Sequence, residues 1–229
     1  MASQGRRVLQ RPTAVGEKRL IMPASLNRLP GAHQPDAWGL GVGLAGAYHR
    51  PIIPEADLQS TEHGLVPTGE GWFVLNAKEG RWRIWPGVGA RLSFEGDTDF
   101  ARLGINLVVL EPGEPIGMYH SEADQEDFLV LAGEAMLIVE EAERALRAWD
   151  FVHCPAGTAH MIVGAGDGPC VVIAVGAREH YGAIRYIVSE AALRHRAGVE
   201  APTGDPSVAY SHLPERRWSR YREDWLPDG

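Results

Sequence analysis

The chain reads YHSEADQEDFLVLAG from position 119 to position 133, and this stretch decides the fold. Alternate side chains of a β-strand point to the same face, so His120 and Glu122 are predicted to share one. After a short turn, Glu126 begins the face of a second strand, which continues in apolar residues. If both faces point into a barrel, one imidazole and two carboxylates meet at the same depth.

A second stretch, WDFVHCPAGTAHMIV at positions 149–163, adds a histidine. The turn Pro155-Ala-Gly157 ends one strand, and His160 then alternates with apolar residues, which predicts that it points inward.

Each of these features alone is weak, because a lone inward histidine is more often a hydrogen-bonded core residue than a ligand. A carboxylate between two strands is more often a solvated turn residue. Together they are more informative, since burying two carboxylates without compensation costs several kcal/mol each. A divalent cation held with two imidazoles removes that cost. The alternative is that Glu122 and Glu126 pair with arginines at the mouth of the barrel.

Strand-like runs recur at short intervals between residues 103 and 188, separated by Gly- and Pro-containing turns. They are Ile105–Leu110, Gly117–Glu122, Asp127–Leu131, Ala135–Glu140, Phe151–Cys154, His160–Val163, Cys170–Val175 and Ile184–Val188. Many short strands with regular turns are typical of an all-β sandwich or barrel. There is no room between them for the helices of a βαβ arrangement.

The N-terminal half predicts two further regions. Residues 1–50 are expected to be a poorly ordered extension, because glycine alternates there with small apolar residues. Residues 51–102 are expected to form an arm that adds strands to the barrel, at Trp72–Leu75 and Arg81–Trp85.

The C-terminal region, residues 189–229, is expected to be a short helix followed by a loose tail. Ser189 is a typical helix N-cap, and Gly198 is placed to end the helix after Ala197. The basic and aromatic tail is expected to lie over the barrel.

Composition excludes several classes of partner. A formal net charge of −8 disfavours nucleic acid, which requires clustered Lys and Arg. No apolar run is long enough to span a bilayer, and no secretory signal follows the first residues, so a cytoplasmic location is expected. The two cysteines, Cys154 and Cys170, are expected to be buried and reduced.

The two quoted stretches resemble the two sequence motifs of the cupin superfamily. In the first motif, His120 and Glu126 match, Gly133 closes the pattern, and Glu122 stands where a second histidine is usual. Gly113, the first glycine of this motif, precedes His120 by one residue more than the motif has.

In the second motif, Pro155, Gly157 and His160 match, whereas Trp149 and Gly164 replace the usual glycine and asparagine. The resemblance covers roughly residues 103 to 178. It implies a double-stranded β-helix, that is a cupin or jelly-roll barrel, with N-terminal extra strands and a short C-terminal helix.

The resemblance also implies one divalent metal ion, Fe, Mn, Zn, Ni or Co. Its ligands would be His120, Glu122, Glu126 and His160. Strand alternation places three apolar residues beside the metal as candidates for substrate binding: Met118, Phe128 and Ile162.

Two polar residues near the ligands are candidates for orienting them from behind: His153 and Gln125. The alternative for His153 is an ordinary surface histidine, and Gln125 is expected to face away from Glu126 unless the turn extends that far. No catalytic residue is identified.

The fold leaves three functions open. The first is a metal-dependent enzyme acting on a small molecule, by oxygenase-type or isomerase-type chemistry. The second is a non-catalytic module that binds or senses a small molecule or a metal. The third is a purely structural role, in which the metal only stabilises the barrel. By family analogy a homodimer is expected, with no nucleic-acid or membrane partner.

Overall fold

The computed structural model describes residues 51–180 and 182–226. The strands are β1 (Asp57–Thr61), β2 (Gly64–Thr68), β3 (Trp82–Trp85), β4 (Gly89–Ser93), β5 (Leu103–Leu110), β6 (His120–Glu122), β7 (Glu126–Ala132), β8 (Glu134–Val139), β9 (Ala142–Arg147), β10 (Phe151–Cys154), β11 (His160–Ala165), β12 (Cys170–Ala177), β13 (Ile184–Tyr186) and β14 (Arg217–Ser219). The helices are α1 (Glu190–Arg194) and α2 (Pro206–Ala209). The all-β prediction is therefore confirmed, and the predicted extension at 1–50 lies outside the described residues.

Two antiparallel sheets form the barrel. One has the strand order β10-β7-β12-β5-β4-β3-β14, and the other has the order β13-β6-β11-β8-β9. Most neighbours within a sheet are distant in sequence, so the chain crosses repeatedly from one sheet to the other, as a double-stranded β-helix requires. Strands β1 and β2 form a separate hairpin.

Apolar side chains from both sheets fill the space between them. Val108, Phe128 and Val172 come from the larger sheet, and Ile138 and Ile162 from the smaller one. Burying each such side chain contributes about 1.5–3 kcal/mol. Ala191, Ala192 and Ala197 belong to the same cluster, so α1 and the residues after it pack against this core.

A second cluster covers the outer face of the larger sheet. Trp82, Leu92 and Leu107 project from the sheet and are covered by Trp225, whose ring centroid lies 5.0 Å from that of Trp82. The C-terminal tail is thus packed on the sheet and adds β14 to its edge. The tail lies over the barrel, as the sequence predicts, but it is not loose, because Trp225 is buried on the apolar face of the sheet.

The arm joins the larger sheet, as predicted, but with one correction. The run Arg81–Trp85 forms β3, whereas the predicted strand Trp72–Leu75 is absent, since only Trp72 makes an isolated bridge to Glu55. Gly71 precedes it at a φ of 147° and turns the chain, so the run cannot align with a neighbouring strand.

The predicted C-terminal helix is present but shorter. The Ser189 hydroxyl accepts a hydrogen bond from the Ala192 amide, which confirms the N-cap. The helix ends at Arg194 because Arg196 adopts a φ of 56°, so the chain leaves the helical path before Gly198.

Other sequence expectations can be checked in the described residues. Cys154 and Cys170 are free and buried, as predicted. Within the described ranges, no helix has the length and apolar character needed to cross a membrane.

Candidate metal centre

The candidate ligands come from both sheets. His120 begins β6 and His160 begins β11, and the two are direct partners in the antiparallel register of the smaller sheet. Glu126 begins β7 in the larger sheet. Three strand ends therefore bring the two imidazoles and one carboxylate together at the same end of the barrel.

The three side chains point at a common position. The Nε2 atoms of His120 and His160 each lie 3.2 Å from Oε2 of Glu126. One donor atom from each residue lies within 4.8 Å of the other two. Two imidazole nitrogens and a carboxylate oxygen suit divalent transition metals.

Backbone hydrogen bonds fix the protonation of both rings. His120 Nδ1 lies 2.8 Å from the carbonyl oxygen of Met118, and His160 Nδ1 lies 3.0 Å from that of Thr158. Each Nδ1 therefore carries a hydrogen and donates it, which leaves the Nε2 atoms as the free nitrogens.

The unmatched atom in this arrangement is His160 Nε2. It is fully buried and has no hydrogen-bond partner of acceptable geometry, although the Glu126 carboxylate lies beside it. In a neutral ring, a lone pair would face a carboxylate oxygen, which is repulsive unless a cation lies between them. A metal ion satisfies all three groups, so the residues fit the metal that the sequence predicts.

Without a metal, protons must supply the positive charge. Burial lowers the pKa of His120, but Glu122 and Glu126 outweigh it and raise that pKa to about 9. Burial likewise lowers the pKa of His160, while Cys154 and Glu126 raise it to about 10. Burial raises the pKa of Glu126, but the two imidazoles bring it down to about 2. The site therefore favours a cation strongly, and metal binding must displace these protons.

Glu122, the fourth predicted ligand, lies close to the centre but outside the three-residue cluster. Its Oε1 atom is 3.6 Å from His120 Nε2, and its side chain is 31% exposed to solvent in the cavity. The structure therefore supports a site of two histidines and one glutamate, and metal ligation by Glu122 stays a prediction.

Of the apolar residues predicted to bind substrate, Phe128 lines the cavity above the centre. Met118 is fully buried among other apolar side chains, because the bend at Tyr119 interrupts the strand alternation assumed for it. Ile162 does share the inward face of His160, but it lies in the packed core between the sheets. Neither Met118 nor Ile162 is among the residues that line the cavity.

The two polar residues predicted to orient the ligands face away from the centre. His153 Nδ1 lies 2.6 Å from Asp127 Oδ1, and Gln125 Nε2 donates to Asp127 Oδ2 at 2.5 Å. Both side chains are exposed, so His153 matches the alternative of a surface histidine.

A cavity of about 630 Å³ opens over the candidate ligands. Small residues on the inward face of the larger sheet leave this space, because Gly104, Gly176 and Ala174 place no bulky side chain beside Glu126. Arg83 on β3 and other basic side chains also line the cavity, and no sequence pattern assigned them to the site.

Comparison with known proteins agrees with the architecture. Residues 106–176 match the family model described as a cupin domain. This part of the chain is therefore a cupin domain. Among curated proteins, none is similar enough in sequence to count as a relative.

Three solved structures illustrate the likeness. A protein proposed to be a sugar phosphate isomerase, from Acidithiobacillus ferrooxidans, is 27% identical over 41% of this chain and 62% of its own, with a TM-score of 0.35. A sugar phosphate isomerase from a cupin superfamily, from Silicibacter pomeroyi, is 28% identical over 44% of this chain and 62% of its own, with a TM-score of 0.36. A Cupin 2 conserved barrel domain protein from Salinispora arenicola is 26% identical over 38% of this chain and 72% of its own, with a TM-score of 0.34.

The chain thus spans less than two thirds of the length of the first two proteins. A structural likeness this low carries no inference about the activity of the present chain.

Proposed function

We propose that this cupin is a metal-dependent enzyme that catalyses proton transfer on a small molecule bound in the cavity. The metal would be held by His120, Glu126 and His160. The observation that carries the proposal is the buried Nε2 atom of His160, which lies beside a carboxylate and lacks a hydrogen-bond partner.

A bound divalent cation would polarise a carbonyl or hydroxyl oxygen of the substrate and make its neighbouring C–H bond more acidic. The protein holds the donor atoms in place through the backbone hydrogen bonds to His120 and His160. Phe128 lies edge-on against the His160 ring at 5.3 Å and shields that side from water. Two strand ends from one sheet and one from the other keep this geometry rigid.

The group that would move the proton is Glu122. Its carboxylate lies next to the metal-binding atoms, lines the cavity and is not part of the three-residue cluster. A carboxylate in this position can accept a proton from a substrate carbon and return it to a neighbouring one. This free carboxylate favours isomerase-type chemistry over the oxygenase-type alternative, for which no base is needed.

The metal centre is tested with two ligand variants, Glu126→Gln and His160→Gln. Wild-type protein is expected to bind one equivalent of Zn²⁺ in a calorimetric titration, and each variant should weaken this binding at least about 100-fold, since each loses one of three donors. The matched control is His153→Gln, because that histidine is exposed and bonded to Asp127. If either ligand variant binds Zn²⁺ as tightly as the wild type, the proposed centre is wrong.

The activity is tested by proton exchange. Metal-loaded protein in deuterated water is mixed with a panel of small aldoses, ketoses and their phosphate esters, and deuterium incorporation beside the carbonyl is followed by NMR. Incorporation that requires the metal supports the proposal. Tight metal binding without exchange on any member would instead favour the binding-module alternative.

A further inference from the structure

Two arginines lie side by side on neighbouring strands in the wall of the cavity that opens over the candidate metal centre. Arg83 on β3 and Arg91 on β4 are direct partners in the antiparallel register, and both line the cavity. Like charges placed opposite one another on one sheet face are destabilising. Some favourable interaction must therefore offset the repulsion between Arg83 and Arg91.

Within the described residues neither arginine forms a close ion pair with a carboxylate, although Glu126 lies near enough to Arg91 to raise its pKa. The arginine ion pairs found there join Arg178 to Glu95, Arg194 to Glu143 and Arg222 to Asp224. Arg83 and Arg91 are absent from these pairs.

The two guanidinium groups are held in place by uncharged contacts. Arg91 Nη2 donates to the carbonyl oxygen of Ile116 at 2.9 Å, and Arg83 lies over the ring of Trp218, 5.8 Å from its centroid. A guanidinium has five N–H donors, so most of those on Arg91 stay available to a ligand.

The surroundings make the positive charge costly. Burial lowers the pKa of both groups, and the charges of Arg91 and Arg216 lower that of Arg83 further. For Arg91, Tyr210 and Glu126 offset part of the effect of burial, and Arg216 adds to it. A protein that retains two adjacent arginines at such a cost commonly uses them to bind an anion.

The cavity floor connects this pair with the candidate metal centre. Ser93 lies two residues after Arg91 on β4 and pairs with Asn106 on β5. Asn106 in turn pairs with Ala174 on β12. Ala174 in turn pairs with Phe128, which contacts His160. The cavity floor therefore carries polar side chains near the arginines and a small side chain, that of Ala174, in the middle. This arrangement suits an extended small molecule.

We propose that Arg83 and Arg91 bind an anionic group, a phosphate or a carboxylate, at one end of the substrate while its other end reaches the metal centre. The second half of this statement rests on the proposed function. Bidentate hydrogen bonding by two guanidiniums suits either group.

The test uses the full chain after treatment with a chelator, so that anion binding is measured without a metal. Inorganic phosphate and malonate are titrated into wild-type protein and into Arg83→Gln and Arg91→Gln by calorimetry. At least one anion should bind the wild type, and each variant should weaken that binding about tenfold. The anion that binds identifies the group as phosphate or carboxylate.

The control is Arg217→Gln, which removes an exposed positive charge from β14 beside Trp218 and should leave anion affinity unchanged. Arg83→Lys keeps the charge without the planar fork and should recover part of the affinity. Arg83→Gln should not lower the melting temperature, because it relieves the repulsion with Arg91, and a purely structural arginine would behave in the opposite way.

The proposal is overturned if neither anion binds the wild type, or if both glutamine variants bind as the wild type does. Zn²⁺ titration of the wild type separates the two proposals. If the wild type binds an anion but no Zn²⁺, the metal centre is wrong and the anion site stands, whereas Zn²⁺ binding without anion binding has the opposite meaning.

Discussion

At the scale of single residues, the metal centre depends on which nitrogen of each imidazole is free. The carbonyl oxygens of Met118 and Thr158 hold the Nδ1 hydrogens, so both Nε2 atoms are directed at Glu126. Sequence spacing identifies His120 and His160 as inward-facing, but it cannot indicate which nitrogen of each ring the backbone engages.

The role of Glu122 is a prediction at this scale. Because its carboxylate is excluded from the three-residue cluster, Glu122→Gln is expected to keep Zn²⁺ affinity within about threefold and to abolish metal-dependent deuterium exchange. Calorimetry and NMR measure the two effects on the same samples. Glu126→Gln is the comparison, and a loss of Zn²⁺ affinity in Glu122→Gln as large as in that variant would make Glu122 a fourth ligand.

At the scale of elements, one partly buried ion pair joins the segment between β4 and β5 to the end of β12. The two terminal nitrogens of the Arg178 guanidinium, Nη1 and Nη2, donate to the Glu95 carboxylate at 2.5 and 2.9 Å. Nη1 also donates to the carbonyl oxygen of Phe100. The pair fixes one rim of the cavity.

This pair predicts a dependence of stability on pH. Burial raises the pKa of Glu95, but its hydrogen bonds with Arg178 and Phe100 outweigh this and hold the pKa below its usual 4.5. A depressed carboxylate pKa stabilises the fold above the unfolded-state pKa, and the effect is lost as pH falls through the folded-state value. Glu95→Gln should therefore destabilise the protein by about 1–3 kcal/mol at pH 7 and much less below about pH 4.

Urea unfolding of both proteins at pH 7 and at low pH measures this difference. Glu143→Gln is the matched control, because its pair with Arg194 lies at the surface and should change stability little at either pH. A constant difference between Glu95→Gln and the wild type at all pH values would argue against the assigned cause.

Strand β9 shows the limit of prediction at this scale. Its residues Ala142–Arg147 alternate weakly, and only Leu146 is buried, so the sequence analysis missed it. It forms a hairpin with β8, and the two turn residues, Glu140 and Glu141, both have positive φ. The turn lacks the Asn-Gly or Asp-Gly signal that usually marks such a hairpin in a sequence.

At the scale of the whole molecule, the candidate centre lies at one end of a core that is complete without it. Val108, Ile138 and Val172 belong to an extensive apolar cluster between the sheets, which is buried by apolar contacts of its own. The fold is therefore expected to survive removal of the metal, which argues against a purely structural ion.

Chelation tests this expectation. Metal-free protein should remain folded by circular dichroism, and Zn²⁺ at about 100 times its dissociation constant should add about 2.7 kcal/mol, roughly 5–10 °C in melting temperature. His160→Gln should show no such increase. Unfolding of the wild type on chelation alone would favour the structural alternative.

The sequence by itself determined the all-β barrel, the inward positions of His120, Glu126 and His160, and the Ser189 cap. These depend on local alternation and on turn residues, which act over a few positions. The tertiary structure alone decided that Glu122 lies outside the three-residue cluster and that Arg83 lies beside Arg91 in the cavity wall. Such facts depend on the register between strands that are distant in sequence, and no local pattern specifies that register.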